Sequence, residues 1–216
     1  MTRTLLLDLD GTLVDSVPDI AAALNRVMAA RDLPEFSDPQ VAAMVGDGSP
    51  VLLARAFAAR GIAQDKAALG DFLTDYTANT AVLTRPFPGV EQGLRDLAAA
   101  GWRLAVCTNK PETAARNLLA ALRLDHHFAS VGGGDSFPTR KPDPGHLLAT
   151  LAAAGGDVSR AVMAGDHHND VAAAQGAGVP SIFAAWGYGP RSQGADASAI
   201  AEDFTELVKI AARLCP

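Results

Sequence analysis

Short apolar runs recur along the chain, each closed by residues that favour turns. Thr4–Asp8 (TLLLD), Arg103–Asn109 (RLAVCTN), Arg160–Asp166 (RAVMAGD) and Pro180–Gly187 (PSIFAAWG) are the four clearest. Runs that stay apolar at successive positions predict strands covered on both faces, as in a parallel sheet. Between them the period changes. Lys110–Leu124 has Pro111 near a first helical position and apolar residues at 115, 118, 119 and 122, which predicts a helix. Asp143–Gly156 and Asn169–Gly178 end in glycines suited to helix C-caps. Strand and helix alternate, so the expected class is α/β: a Rossmann-like, doubly wound parallel sheet with its ligand crevice at the carboxyl ends of the strands.

Residues 15–85 follow another pattern. Strand-like runs are missing and Ala and Leu are frequent. Ser16 and Pro18 open a helix whose apolar face carries Val17, Ile20, Leu24, Val27 and Met28. Val51–Ala59 and Lys66–Asn79 also read as helical, and Pro86 and Pro88 mark the return to the α/β pattern. The expected organisation is an α/β core of residues 1–14 and 86–216, with a small all-helical cap, residues 15–85, inserted after the first strand.

Composition narrows the function. The chain has 216 residues, 49% hydrophobic and 19% charged, which suits a globular protein with a sizeable core. A net charge of −6 argues against nucleic acid or an anionic membrane as partner. No apolar stretch approaches the roughly 20 residues of a membrane span. Leu5–Leu7 falls short of the roughly 7–15 apolar residues of a signal-peptide core, and Asp8 interrupts it. The two cysteines, Cys107 in a strand and Cys215 near the C-terminus, read as one buried thiol and one tail thiol rather than a disulfide. The expected compartment is the cytoplasm.

The polar residues gather where a parallel sheet would place a site. Asp8 and Asp10 end the first strand, Thr108 and Asn109 the second, and Asp166 the third; Asp170 lies four residues further on, and Lys141 precedes a helix. Each alone is an ordinary turn or cap residue. Together they stand at successive strand ends or in the loops beyond. Side chains at i and i+2 of a strand share a face, so Asp8 and Asp10 repel each other unless a cation or proton intervenes. A hard divalent cation with oxygen ligands, Mg²⁺, relieves that crowding, whereas no Cys/His set has zinc spacing. Hydrogen-bond donors at Thr108 and Asn109, with the charge of Lys141, suit a phosphoryl group. A carboxylate can attack phosphorus, and a second one can protonate the leaving alkoxide and then deprotonate water.

The stretches DLDGTLVDS, TNKP, GGDSFPTRKPDP and GDHHND resemble, in order and spacing, the four motifs of the haloacid dehalogenase superfamily, and the helical insert resembles its small cap. DLDGTLVDSVPDIAAALN, VGDGSPVLLARAF, FPGV and WGYG resemble its phosphoglycolate phosphatase branch more narrowly. The resemblance implies that Asp8 is the nucleophile with its other oxygen on Mg²⁺, and that Asp10 is the general acid/base with its carbonyl on the metal. Thr108, Asn109 and Lys141 would hold the phosphoryl oxygens. Asp166 would bind the metal and Asp170 support it. The implied activity is a phosphatase acting on a small phosphorylated metabolite, with 2-phosphoglycolate as the leading substrate, in a monomer or homodimer. Dehalogenases generally lack an acid at the position of Asp10, because halide leaves without a proton, so Asp10 favours ester chemistry. Sugar-phosphate phosphatases and phosphomutases of the superfamily remain as alternatives. So does a receiver-like phosphoryl-binding protein, although that class leaves the insert unexplained.

Three details complete the expectations. In VGDGSP the backbones of Gly46 and Gly48 allow close approach, and Gly48 with Ser49 offers N–H groups at a helix start to a substrate carboxylate. Asp47 stands where the branch commonly has Asn. It is expected to face away as the N-cap of that helix, with Arg55 offsetting its charge, since an inward carboxylate would repel an anionic substrate. His126 and His127 are expected on a loop surface, and Trp186 and Tyr188 in the packing of a turn. His167 and His168 stand beside Asp166, where Ser or Thr is commoner first.

Overall fold

A computed structural model describes residues 2–216. Six parallel strands form the sheet: β1 (Thr4–Leu7), β4 (Arg103–Cys107), β5 (Phe128–Gly132), β6 (Ala161–Gly165), β7 (Ser181–Ala184) and β8 (Ala199–Ala201). Their order is β5-β4-β1-β6-β7-β8. The two short strands β2 (Val14–Asp15) and β3 (Arg85–Pro86) form a separate antiparallel ribbon. The chain leaves β1 toward β4 and β5, then crosses back to build β6, β7 and β8 on the other side. β1 therefore stands at the switch point of a doubly wound sheet, where its carboxyl end meets those of β4 and β6.

The leucines of β1 are fully buried and divide between two layers. Leu5 and Leu7 face a core completed by α5 (Val90–Ala99), α6 (Glu112–Ala121) and α9 (Phe204–Leu214). Leu6 points the other way, into a core with α7 (Pro144–Ala153) and α8 (His168–Ala177). Alternate side chains of a strand face opposite ways, so a consecutive apolar run is what a strand between two helical layers needs. Each buried leucine contributes about 1.5–3 kcal/mol relative to leaving it exposed.

Four helices lie between β2 and β3 in the chain: α1 (Val17–Ala29), α2 (Asp38–Ala42), α3 (Ser49–Ala59) and α4 (Ala68–Ala78). They enclose their own apolar cluster, to which α1 brings Val17, Ile20, Leu24, Val27 and Met28. These are the residues of its i, i+3, i+4, i+7 stripe. Where the chain returns, the Asp19 carboxylate accepts hydrogen bonds from the N–H groups of Leu83 and Thr84 and from Thr84 Oγ1. The same return is closed by the β2–β3 ribbon.

Several expectations need correction. β5, β8, the β2–β3 ribbon and α2 carry no apolar pattern that predicted them. β5 and β8 are edge strands, and β5 is partly exposed along most of its length, so the burial that produces the pattern is lacking. Cys215 is no tail thiol: it is buried against α9 and, like Cys107, unpaired. Among the described residues no helix is long and apolar enough to cross a membrane.

Candidate active site

Three strand ends and one loop deliver the acidic and basic groups to one place. Asp8 continues β1, and its N–H donates to Ala164 O at 2.9 Å. Thr108 and Asn109 continue β4, Asp166 continues β6, and Asp170 lies in the first turn of α8. Lys141 enters from the loop before α7. Between Asp10 and Val14 the chain turns sharply, and Gly11 takes φ +85°; a Cβ there would lie 2.2 Å from Asp166 Oδ2. Only glycine allows that turn beside that carboxylate.

Asp8, Asp166 and Asp170 each bring a carboxylate oxygen within 4.8 Å of the others. Asp166 Oδ1 accepts from Thr12 Oγ1 at 3.0 Å and its Oδ2 from Tyr188 N at 2.7 Å. Burial, and then the charges of Asp8 and Asp170, push the Asp166 carboxyl up to about 8. Lys141 Nζ donates to Asp170 Oδ1 and to Cys107 O, both at 2.6 Å. Burial works against the Lys141 charge, but Asp170 and Asp8 outweigh it and raise its pKa. Lys141 Nζ lies 3.0 Å from Asp8 Oδ1, yet out of hydrogen-bond alignment, so this buried oxygen has no donor. A crowded carboxylate trio with an orphaned oxygen fits a divalent cation.

Thr108 and Asn109 lie at the same strand end, but their side chains are differently engaged. Thr108 Oγ1 accepts from Lys110 N at 3.2 Å. Asn109 Nδ2 donates to Gly46 O and Lys141 O, both at 3.0 Å, so this amide ties the α2–α3 turn to the core.

Asp10 is not part of the carboxylate trio, but it lines the same space as Asp8. Its Oδ1 accepts from Ser16 Oγ at 2.6 Å, and Lys110 Nζ lies 3.0 Å from both its oxygens. Lys110 also donates to Tyr76 Oη of α4 at 2.7 Å and sits 4.3 Å from the centre of that ring. The sequence reading missed Lys110. It stood in TNKP, two residues past Thr108, but a lysine in a turn is ordinarily exposed, and this one is buried.

Gly46, Gly48 and Ser49, on the α2–α3 turn, line a small, partly open space of about 40 Å³ together with Asp8, Asp10, Asn109, Lys110 and Tyr76. Asp47 departs from expectation. Gly48 is the N-cap of α3, and no side chain caps that end. Asp47 instead pairs with Arg55, as the charge-offsetting reading anticipated, and its Oδ1 accepts from Asn169 Nδ2 of α8 at 2.7 Å. Its carboxyl, opposed by burial but held by Asn169 and Arg55, lies below the usual range. His167 packs under the same turn: a Cβ on Gly46 would lie 2.7 Å from its ring. Trp186 and Tyr188 pack as expected. Trp186 Nε1 donates to Thr12 O at 3.1 Å, and Tyr188 Oη donates to Asp15 Oδ1 at 2.9 Å and accepts from Ser16 N at 2.7 Å.

The profile of the haloacid dehalogenase-like hydrolases matches residues 2–178. The chain belongs to that family. It is 46% identical over 189 residues to a phosphoglycolate phosphatase from Caulobacter vibrioides, covering 86% of this chain and 80% of that one. It is 40% identical over 221 residues to a phosphoglycolate phosphatase from Mesorhizobium japonicum, covering 99% and 97%. A crystal structure of a predicted phosphoglycolate phosphatase from Haemophilus somnus superimposes with a TM-score of 0.89 at 31% identity, over 97% of each chain. This family member is a phosphoric monoester hydrolase.

Proposed function

We propose that this hydrolase cleaves 2-phosphoglycolate to glycolate and phosphate through an aspartyl-phosphate on Asp8. The observation that carries the reading is that Asp8 and Asp10 line one small space between the sheet and the helical insert. Its similarity to the phosphatases from Caulobacter and Mesorhizobium supports the substrate. Asp8 attacks phosphorus and the ester oxygen leaves; Asp10 gives that oxygen its proton and then takes one from the water that hydrolyses the aspartyl-phosphate. Lys141, charged between Asp8 and Asp170, holds Asp8 in place and balances the incoming phosphoryl charge. Thr108 and Asn109 shape the phosphoryl end. Asp8, Asp166 and Asp170, with the Asp10 carbonyl, are the residues that would hold Mg²⁺. The cation would neutralise charge building on the phosphoryl oxygens.

The residues of α1–α4 act in this reading as a lid, residues 15–85, that excludes water and selects the leaving alcohol. A second phosphoryl group is disfavoured by a space whose wall carries two aspartates and one lysine. Two unpaired cysteines suit a reducing compartment, the cytoplasm, and the net charge of −6 suits a small metabolite rather than nucleic acid or a membrane surface as partner. The test is kcat/KM across a panel of phosphorylated metabolites, with and without Mg²⁺. 2-Phosphoglycolate should lead the panel by at least about tenfold, which corresponds to roughly 1.4 kcal/mol of transition-state binding. Turnover that survives chelation, or a sugar phosphate in first place, would refute the reading.

A further inference from the structure

The Lys110 ammonium is buried at the wall of the substrate space, where only its partners offset the cost of removing a charge from water. Those partners are Asp10 and Tyr76. Among the described residues that line the space, the charged side chains are Asp8, Asp10 and Lys110, so Lys110 is its one cation. A dianionic phosphate carrying a carboxylate would meet two aspartates there. Lys141 answers the phosphoryl end, from between Asp8 and Asp170. At the other end, Lys110 is the one charged side chain that answers it.

We propose that Lys110 determines specificity by taking the carboxylate of a two-carbon phosphorylated acid, with Tyr76 as the residue that positions it; this rests on the 2-phosphoglycolate reading above. Geometry allows the exchange. Asp10 is independently anchored by Ser16 Oγ at 2.6 Å, so it can turn from Lys110 to the ester oxygen without losing its hold. Tyr76 Oη, at 2.7 Å from Nζ, keeps the ammonium in place while its anionic partner changes from Asp10 to substrate. An ammonium has three donors and no acceptor, so one can stay on Tyr76 and the others turn to a carboxylate. The space is small, about 40 Å³, and Asp8, Asp10 and Lys110 share its wall. The start of α3, at Gly48 and Ser49, reaches the same space, and its N–H end favours negative charge. The ligand thus bridges sheet and insert: Lys110 lies past β4, while Tyr76 and Ser49 belong to α4 and α3.

The experiment compares two substrates in the full-length, Mg²⁺-loaded enzyme: 2-phosphoglycolate, and ethyl phosphate, which replaces the carboxylate by a methyl group. The readout is the ratio of their kcat/KM values, in which any damage shared through Asp10 cancels. Wild type should prefer 2-phosphoglycolate by at least about a hundredfold, the scale of a close charge pair in a restricted site. Lys110→Gln should reduce that ratio at least about thirtyfold, chiefly through KM for 2-phosphoglycolate. If Lys110→Gln lowers both substrates equally, the lysine serves only Asp10 and the assignment is overturned. If wild type itself shows no preference, the proposed substrate fails, whatever Lys110 does. Should Lys110→Gln not fold, Tyr76→Phe decides, because it keeps the ring and removes the hydroxyl. The ratio should fall about threefold or more, the scale of one lost hydrogen bond, and an unchanged ratio overturns the assignment.

Discussion

Asp8 carries the sharpest test at the scale of single residues. Asp8→Asn keeps size and polarity and removes one charge from a crowded trio. The variant should melt no lower than wild type without metal, yet an amide is a far weaker nucleophile, so kcat under saturating Mg²⁺ should drop below about one-hundredth of wild type. Activity above that level would remove Asp8 from the nucleophile's role. His146 makes a second residue-scale prediction. It is fully buried beside the Phe137 ring. Burial, and then the nearby Lys141 charge, lower it from 6.5 to about 4. The folded pKa lies below the unfolded one, so the unfolded chain takes up the proton first on acidification. The contribution of neutral His146 is complete above pH 6.5 and is lost as pH falls from there to about 4. The loss amounts to about 3 kcal/mol. Urea midpoints against pH should show it in wild type and lack it in His146→Leu; parallel curves would exclude His146 as its source.

Asp47 belongs to the scale of elements, because its partners lie on two of them: Arg55 on α3 and Asn169 on α8. The turn that carries it also rests on the His167 ring and is held by Asn109. Asp47→Asn keeps an oxygen for Asn169 and loses the partly exposed ion pair with Arg55, a change of about 0.2–1 kcal/mol. The kcat/KM for 2-phosphoglycolate should fall by less than about fivefold, in line with that energy. A hundredfold gain would mean that Asp47 repels the substrate and that the carboxylate assignment is wrong. In the sequence, Asp47 looked like an N-cap because Asp is a good capping residue and a helix starts near Ser49. Whether a side chain caps its own helix or reaches across to another depends on what packs opposite, and that is not local information. The same holds for the edge strands. β5 has Ser130 and Gly132 among its five residues, and its neighbours rather than its own pattern make it a strand.

On the scale of the molecule, the helical insert and the sheet keep separate apolar cores, joined at the β2–β3 ribbon and by contacts such as Tyr76 with Lys110. Motion of the insert as a lid should hinge near Asp15–Ser16 and Thr84–Pro86, where few residues connect the two. A chain in which a short turn replaces residues 16–84 should still hydrolyse p-nitrophenyl phosphate, since Asp8, Asp10, Lys141, Asp166 and Asp170 all remain. It should lose at least about tenfold in its preference for 2-phosphoglycolate over ethyl phosphate, because Tyr76 and Ser49 go with the insert. An undiminished preference would assign selection to the sheet alone. The division between what was legible and what was not follows the range of the forces. Asp8, Asp10, Thr108, Asn109 and Asp166 were readable because they follow short apolar runs, whose ends parallel strands bring together, and Asp170 and Lys141 because they stand in or beside the loops beyond. The helical insert was readable from its apolar period. The burial of Lys110, the reach of Asp47 to Asn169 and the bond from Asn109 to Gly46 were not, since each joins residues far apart in the chain. Local periodicity, present in the sequence alone, determined the fold class, and residue chemistry named the polar groups that the sheet brings to one edge. Only the tertiary structure decided how the insert packs against that edge and that Lys110 is buried there, because contact energies between distant segments exist only once both are folded.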